Sequence, residues 1–301
     1  MKVFLGIDWG GTYIKAGVVD NQGIVLEKRF FSSPDFRKKN IFLTRIGFLL
    51  KDFKNFKIQA VGIGAPGIVN TRKGSIYYLP NIKGWKNFPL KQKLAKYLDV
   101  PVFIDNDANV FALAEARRGA ARGKSRAIFL TLGTGLGSSI VFDKKILKAE
   151  TSAWELGHVP VVLKGRKCGC GGRGCIETFV GNRYLLKRYK SIRKGYSEAG
   201  DVEDIYKKAL KGEKAALRVW EEFSHALGIF LSGMINIFNP QAIIFGGGIS
   251  GAFKVFKPMV LKEIKQQAMW PHLKGLKLLK AKAKDAGISG AGLLAKESMN
   301  N

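Results

Sequence analysis

The sequence predicts an α/β protein of two lobes, and three observations carry that reading. A β-rich opening gives way to alternating strands and helices, a second segment begins in the same manner, and each carries a glycine-rich turn at the equivalent place. The opening is a meander: residues 3–8 and 12–20 are β-branched and apolar, Trp9-Gly10-Gly11 separates them, and 24–31 continues the pattern. A helix over 38–54 follows. A strand over 58–64 stops at Ala65-Pro66-Gly67, a helix over 89–98 leads to a strand at 101–105, and a helix over 108–118 completes a βββαβαβα order.

The second half restarts with a strand at 126–132, a Gly-rich turn over 133–137 and a strand at 138–143. It then departs from the first. A Cys-Gly loop at 165–175 and helices over 178–238 form an insertion, after which a strand at 241–246, the turn Gly246-Gly247-Gly248, a helix over 253–269, a strand at 276–281 and a helix over 287–297 resume the plan. The expected domains are a small one of residues 1–117 plus 288–301, and a large one of 118–287 carrying the loop 158–177. Crossover connections leave strand-end loops at one edge of a sheet, so the two sets of glycines are expected across a common cleft.

With 301 residues, 46% hydrophobic and 25% charged, the chain has enough apolar material for such lobes, which excludes disordered and fibrous classes. No run reaches the roughly 18 to 20 apolar residues that cross a bilayer. The segment 226–238 is apolar but ends at Asn239-Pro240 and reads as a buried core helix, and neither a signal peptide nor a membrane anchor is expected. The formal charge is +28, spread along the chain rather than gathered in a tail. Three readings stay open for it: a solvated basic surface, weak association with nucleic acid or acidic surfaces, and a field for a polyphosphorylated donor.

Asp8-Trp9-Gly10-Gly11-Thr12 has the makings of a phosphate turn. Two glycines bring backbone N–H groups close to phosphate oxygens, Thr12 adds a hydroxyl and Asp8 suits a hydrated Mg²⁺. A plain hairpin turn is the competing reading. The turn Gly133-Thr134-Gly135-Leu136-Gly137 supplies the same equipment from the second half; a dinucleotide fingerprint would need a helix next, and Ser138–Phe142 reads as strand. Gly246-Gly247-Gly248 suits close approach by a nucleotide. For the turn over 133–137 a merely structural role is the competing reading. In Asp105-Asn106-Asp107-Ala108-Asn109, a carboxylate at a strand end could take a proton from an attacking hydroxyl, but Asn and Asp ahead of a helix are also ordinary N-caps.

All three cysteines, Cys168, Cys170 and Cys175, fall within eight residues, an odd number that full disulfide pairing cannot use. With His158 they make a four-ligand set for a tetrahedral zinc site. Because all four positions would be filled by protein, that zinc would be structural. Glu155 and Glu177 flank the loop as acceptors suited to vicinal sugar hydroxyls, and the second ring nitrogen of His158 could bond a sugar hydroxyl as well; for either Glu a surface salt bridge is the competing reading.

Taken together, Asp8-x-Gly-Gly-Thr12, Ala65-Pro66-Gly67, Asn81-Ile82-x-Gly84-Trp85, Asn106-Asp107-x-Asn109, Leu132-Gly133-Thr134-Gly135, Glu155-x-Gly157-His158, the Cys168–Glu177 loop and Gly246-Gly247-Gly248 resemble the ROK family. This is a group of repressors and sugar kinases in the actin-like ATPase superfamily, with a ribonuclease H-like fold, and the resemblance spans essentially the whole chain. It implies that Asp107 is the general base, that Gly67, Asn106, Glu155, His158 and Glu177 hold the sugar, and that His158, Cys168, Cys170 and Cys175 hold zinc. It further implies that Asp8, Gly10, Gly11, Thr12, Gly133, Thr134, Gly135, Gly246, Gly247 and Gly248 serve ATP with Mg²⁺. Trp9, where the family usually has an aliphatic residue, is expected to change packing only.

The family's repressors carry a winged-helix domain ahead of the first strand, which here begins at residue 2, so a kinase without a specific nucleic-acid partner is expected. The implied activity is ATP-dependent phosphorylation of a hexose at its 6-hydroxyl, glucose first, in a cytoplasmic homodimer or homotetramer with no membrane partner. Fructose, N-acetylmannosamine and N-acetylglucosamine are alternative acceptors, polyphosphate is an alternative donor, and a non-catalytic sugar sensor is the alternative outside enzymes.

Overall fold

The computed structural model describes residues 2–300 apart from 12, 81, 83, 150, 152–153 and 194–199. Strands β1 (Val3–Trp9), β2 (Tyr13–Asp20) and β3 (Val25–Ser32) form the expected antiparallel meander. Helix α1 (Lys39–Asp52) then leads into β4 (Ile58–Ala65), which runs parallel to β1. The next three strands are not visible in the sequence pattern. They are β5 (Ile68–Asn70), β6 (Ser75–Tyr78) and β7 (Lys86–Phe88), a small antiparallel sheet whose members are too short for a period of two to emerge.

Helix α2 (Leu90–Leu94) is shorter than the helix expected over 89–98. Past Leu94 the backbone tightens: Lys96 N–H bonds the Lys93 carbonyl and Tyr97 N–H the Leu94 carbonyl, one residue short of α-helical spacing. Strand β8 (Val102–Asn106) runs parallel to β4 and passes directly into α3 (Asp107–Arg118), closing a sheet of order β3-β2-β1-β4-β8.

The second half repeats the plan with β9 (Ala127–Leu132), β10 (Leu136–Phe142) and β11 (Lys145–Ile146). Because β10 begins at Leu136, the glycine turn is confined to 133–135, and a strand follows it. The insertion resolves into α4 (Glu177–Val180), α5 (Asn182–Ile192), α6 (Val202–Leu210) and α7 (Lys214–Phe238). Then come β12 (Ala242–Gly246), α8 (Phe253–Gln267), α9 (Trp270–Leu273), β13 (Lys277–Lys280) and α10 (Ala286–Met299). The second large sheet has the order β11-β10-β9-β12-β13, the same succession as the first.

The chain divides into two compact units, one running to Gly123 with Ser139–Trp154 and everything from Lys282, the other made of Lys124–Ser138 and Glu155–Ala281. In the first, α10 lies along β1 and β4. Small residues make this contact possible: a Cβ on Gly62 would strike the Ala291 carbonyl, and one on Gly6 the Ile288 carbonyl. Trp9 is fully buried, its ring centroid 4.1 Å from Phe42 and 4.8 Å from Trp85, so the unusual residue after Asp8 anchors an aromatic cluster under the first turn. In the second unit, α7 packs on α8, and Trp220, Phe223, Phe245 and Phe256 fill the space against the sheet. Residues 226–238 lie in α7, with Leu227, Leu231 and Ile235 fully buried, and no helix among the described residues is long and apolar enough to cross a membrane.

Candidate active site

In the first unit the decisive local structure is the junction of β8 and α3. Asn106 is the N-cap of α3, its Oδ1 accepting the Ala108 N–H at 2.8 Å while its Nδ2 donates to the Gly67 carbonyl at 2.9 Å. Gly67 has φ +109°, and a Cβ there would strike the Tyr78 carbonyl, so only glycine brings this carbonyl to Asn106. Asp107 is the first helical residue, half-buried, with Oδ1 also 2.8 Å from the Ala108 N–H. Asp105 is buried beneath them. Its Oδ1 accepts from the Asn106 N–H at 2.7 Å and from Asn109 Nδ2 at 2.8 Å, and its Oδ2 lies 3.7 Å from Lys148 Nζ. Burial pushes the Asp105 carboxyl above its ordinary range, and Asn109, Lys148 and the Asn106 N–H oppose that shift. The alternatives of cap and base are thus divided among residues: Asn106 caps, Asp105 braces, and Asp107 opens the helix.

Asp8, near the end of β1, lies opposite Lys15 on β2, whose Nζ is 3.8 Å from Asp8 Oδ2. Burial raises this carboxyl too, with Lys15 opposing. Gly287 at the start of α10 carries no Cβ, which would meet the Asp8 carboxylate, so the helix comes directly onto it. Gly10 N–H bonds the Tyr13 carbonyl at 3.0 Å across the turn; Thr12, expected in the same turn, lies outside the described residues.

In the second unit, Gly133 N–H bonds the Gly135 carbonyl at 3.0 Å, making a tight turn between β9 and β10. Glu177 reaches it from the start of α4. Its Oε2 accepts the Leu136 N–H at 3.1 Å and occupies the space a Gly135 Cβ would need. The carboxylate expected to serve a sugar therefore sits on the turn expected to serve phosphates. Gly247 has φ +79° with its α-carbon pressed against the Leu132 backbone, and its carbonyl accepts from Ser250 Oγ at 2.7 Å.

His158, Cys168, Cys170 and Cys175 place their ligand atoms within 4.8 Å of one another. Cys168 Sγ is 3.6 Å from His158 Nδ1, and Cys170 Sγ is 3.8 Å from Cys175 Sγ. A tetrahedron with Zn–S bonds of about 2.3 Å has S···S edges of about 3.8 Å, so the four residues fit a closed metal site and these thiols are too far apart for a disulfide. Burial pushes the Cys175 thiol up to about 12, whereas the Gly172 N–H lowers the Cys170 thiol, so metal entry must displace protons. With Nδ1 toward the thiols, His158 Nε2 lies 3.9 Å from Glu155 Oε2. Burial raises the Glu155 carboxyl, and His158 works against the shift.

Lys15 and Lys148 were not singled out by sequence. Lys15 is legible once the register of the hairpin pairs it with Asp8; Lys148 follows a two-residue strand and no local pattern marks it.

The ROK family pattern matches residues 4–298. The chain belongs to the ROK family. It is 35% identical to the glucokinase of Thermotoga maritima, with 97% of each chain covered. The crystal structure of a ROK family glucokinase from Streptomyces griseus in complex with glucose and AMPPNP is similar with a TM-score of 0.82 at 30% identity, covering 98% of this chain and 99% of that one. A ROK family transcriptional regulator is similar with a TM-score of 0.90 at 26% identity, covering 99% of this chain and 78% of the regulator. The mixed α/β, actin-like ATPase architecture read from the ROK motifs is thereby borne out.

Proposed function

We propose that this ROK protein is a cytoplasmic sugar kinase that moves the terminal phosphoryl group of ATP to the 6-hydroxyl of glucose. The observation that carries the reading is the division of labour at the β8–α3 junction. Asn106 caps the helix and Asp105 is engaged by Asn106, Asn109 and Lys148, so most of the bonds that build the junction are made by the neighbours of Asp107. Asp107 is then the general base that accepts the hydroxyl proton as the phosphorus–oxygen bond forms. Asn106, Gly67, Glu155, Glu177 and His158 Nε2 hold the sugar hydroxyls, and the glycine turns at 10–11 and 133–135 with Gly246-Gly247-Gly248 hold the nucleotide. Asp8 would hold a Mg²⁺, which would supply neutralisation of phosphate charge.

His158, Cys168, Cys170 and Cys175 would hold a structural zinc, whose contribution is to fix the loop and to orient His158 toward the sugar. The proposed domains are residues 1–117 plus 288–301 and residues 118–287, and they differ from the compact units chiefly in placing Ser139–Trp154 with the second lobe. The likeness to a transcriptional regulator keeps the sensor alternative open, though less favoured than the kinase. Against it stand Asp107 and the two glycine turns assigned to phosphate, since sugar sensing requires neither a base nor a nucleotide.

The test is a coupled phosphorylation assay over glucose, fructose, mannose and the N-acetylhexosamines, with ATP and inorganic polyphosphate as donors. Turnover on glucose with ATP at the highest kcat/KM supports the proposal. Sugar binding by calorimetry without turnover on any member of the panel would convert it to the sensor reading.

A further inference from the structure

We propose that Lys148 is a positioning residue for phosphoryl transfer, acting on Asp107 through Asp105. The inference rests on the kinase reading. Asp105 has 3% of its side chain exposed, and a carboxylate so placed keeps its charge only if hydrogen bonds and a cation compensate for the lost water. The hydrogen bonds come from inside the junction, from the Asn106 N–H and Asn109 Nδ2, both on Oδ1. The cation comes from elsewhere in the chain: Lys148 Nζ stands 3.7 Å from Oδ2, with half of its own side chain exposed.

The backbone that delivers Lys148 is fixed on both sides. Leu147 N–H bonds the Ile140 carbonyl at 2.8 Å, and the Leu147 carbonyl accepts the Trp154 indole N–H at 2.6 Å. Ile146, two residues before Lys148, packs on the apolar cluster of Val110 and Leu113 on α3. The β10–β11 hairpin is therefore docked on the helix that Asp107 begins, and Lys148 links the hairpin to the residue beneath that helix's first turn.

An ionised Asp105 is the stronger acceptor, and it holds the peptide N–H of Asn106 and the side chain of Asn109 together across the start of α3. Asn106 in turn holds Gly67. Without the ammonium, burial favours the neutral acid, whose weaker acceptor oxygen loosens the peptide from which Asp107 projects. Misplacement of a base by a fraction of an ångström lowers turnover, while binding of nucleotide at the glycine turns is left alone.

The experiment is a double-mutant cycle on the full chain, with kcat and KM for glucose and ATP measured for the parent, Lys148→Met, Lys148→Arg, Asp105→Asn and Lys148→Met with Asp105→Asn. Lys148→Met is expected to lower kcat about tenfold or more with the KM for ATP within about twofold, and Lys148→Arg to recover most of the loss. In the Asp105→Asn background the same Lys148→Met change should cost less than about twofold. Equal losses in both backgrounds, or a Lys148→Met kcat within about twofold of the parent, overturn the inference. Should Lys148→Met fail to fold, Lys148→Gln keeps a polar side chain beside Asp105 without the charge; full activity in that variant is equally fatal. A parent inactive on every sugar defeats the kinase reading and this inference with it, whereas an active parent with an indifferent Lys148 defeats only the inference.

Discussion

The β8–α3 junction and the metal loop organise functional side chains by opposite means. At the junction, Asp105, Asn106 and Asn109 find their partners in backbone groups and in one another, and all three side chains are buried although β8 is the edge strand of its sheet. The loop over 165–175 has almost no apolar burial beyond its own cysteines, and its backbone turns through Gly171 at φ +96° and Gly174 at φ +71°. The first region is shaped by the fold and is ready without a ligand. The second depends on whatever its four ligand atoms hold, so the base side and the sugar side of this protein should respond differently to perturbation.

The largest effect should come from removing the metal, because structural zinc contributes on the order of 10 kcal/mol to the segments that bind it. Protein purified without chelators should carry about one zinc per chain by elemental analysis. Cys175→Ser should lower sugar affinity by about 10²-fold or more and ATP affinity far less, as read by calorimetry. Absence of zinc, or equal losses for both ligands, would erase the distinction between the two regions.

Next in size is Asp107→Asn, which preserves shape and hydrogen bonding at the start of α3 but cannot take a proton. The expected fall in kcat is about 10²-fold or more, with sugar affinity within several-fold of the parent. Turnover within about threefold would mean that Asp107 only supports the helix terminus beside Asn106, and Asp105 would return as the candidate base.

Gly135→Ala probes the point where metal-loop and phosphate-turn residues touch. Its methyl group would fall where Glu177 Oε2 now accepts the Leu136 N–H. Displacing that carboxylate should weaken sugar binding about tenfold, the cost of one charged hydrogen bond, with the zinc content unchanged. Unchanged affinity would remove Glu177 from the sugar-binding set.

These regions also differ in how much of them the sequence displayed. The metal site was legible because three thiols and an imidazole are rare side chains gathered in one stretch, and the structure brings all four ligand atoms together. The opening meander was legible from β-branched runs broken by glycine, and the strand–turn–strand restart at 126 showed the repeat, whereas the two-residue β11 and the common order of the two large sheets emerged only in the structure. At the junction only the residue types were visible. Which of Asp105, Asn106 and Asp107 caps the helix depends on where β8 gives way to α3, a boundary that pattern reading places within a residue or two, and one residue is the whole difference. Lys148 was invisible because its role is created by a long-range docking of β11 onto α3, and β5, β6 and β7 because each is three or four residues long.

The smallest predicted effect sets the scale for the pair of Asp105 and Lys148. Arg188 on α5 and Glu222 on α7 make a two-pronged ion pair, Nε to Oε2 at 2.7 Å and Nη2 to Oε1 at 2.6 Å, but with 31% and 37% of the side chains exposed. The Arg188 hydrogen bond holds the Glu222 carboxyl below its ordinary value, and the same bond raises the Arg188 guanidinium. A depressed carboxylate stabilises the folded state above its unfolded pKa of about 4.3, and that contribution disappears as the pH falls through the lower folded value. Solvent screening limits it, so Glu222→Gln should cost only about 0.5 to 1 kcal/mol at pH 7, roughly 1 to 4 °C in Tm. The two proteins should converge as the pH is lowered below about 4, because protonation removes from the parent what the substitution removed from the variant. Thermal melts of both proteins from pH 7 to pH 3 measure this directly. A gap that persists at low pH would show that Glu222 acts through packing between α5 and α7, and the pair of buried Asp105 and half-exposed Lys148 would then have no exposed electrostatic counterpart against which to be compared.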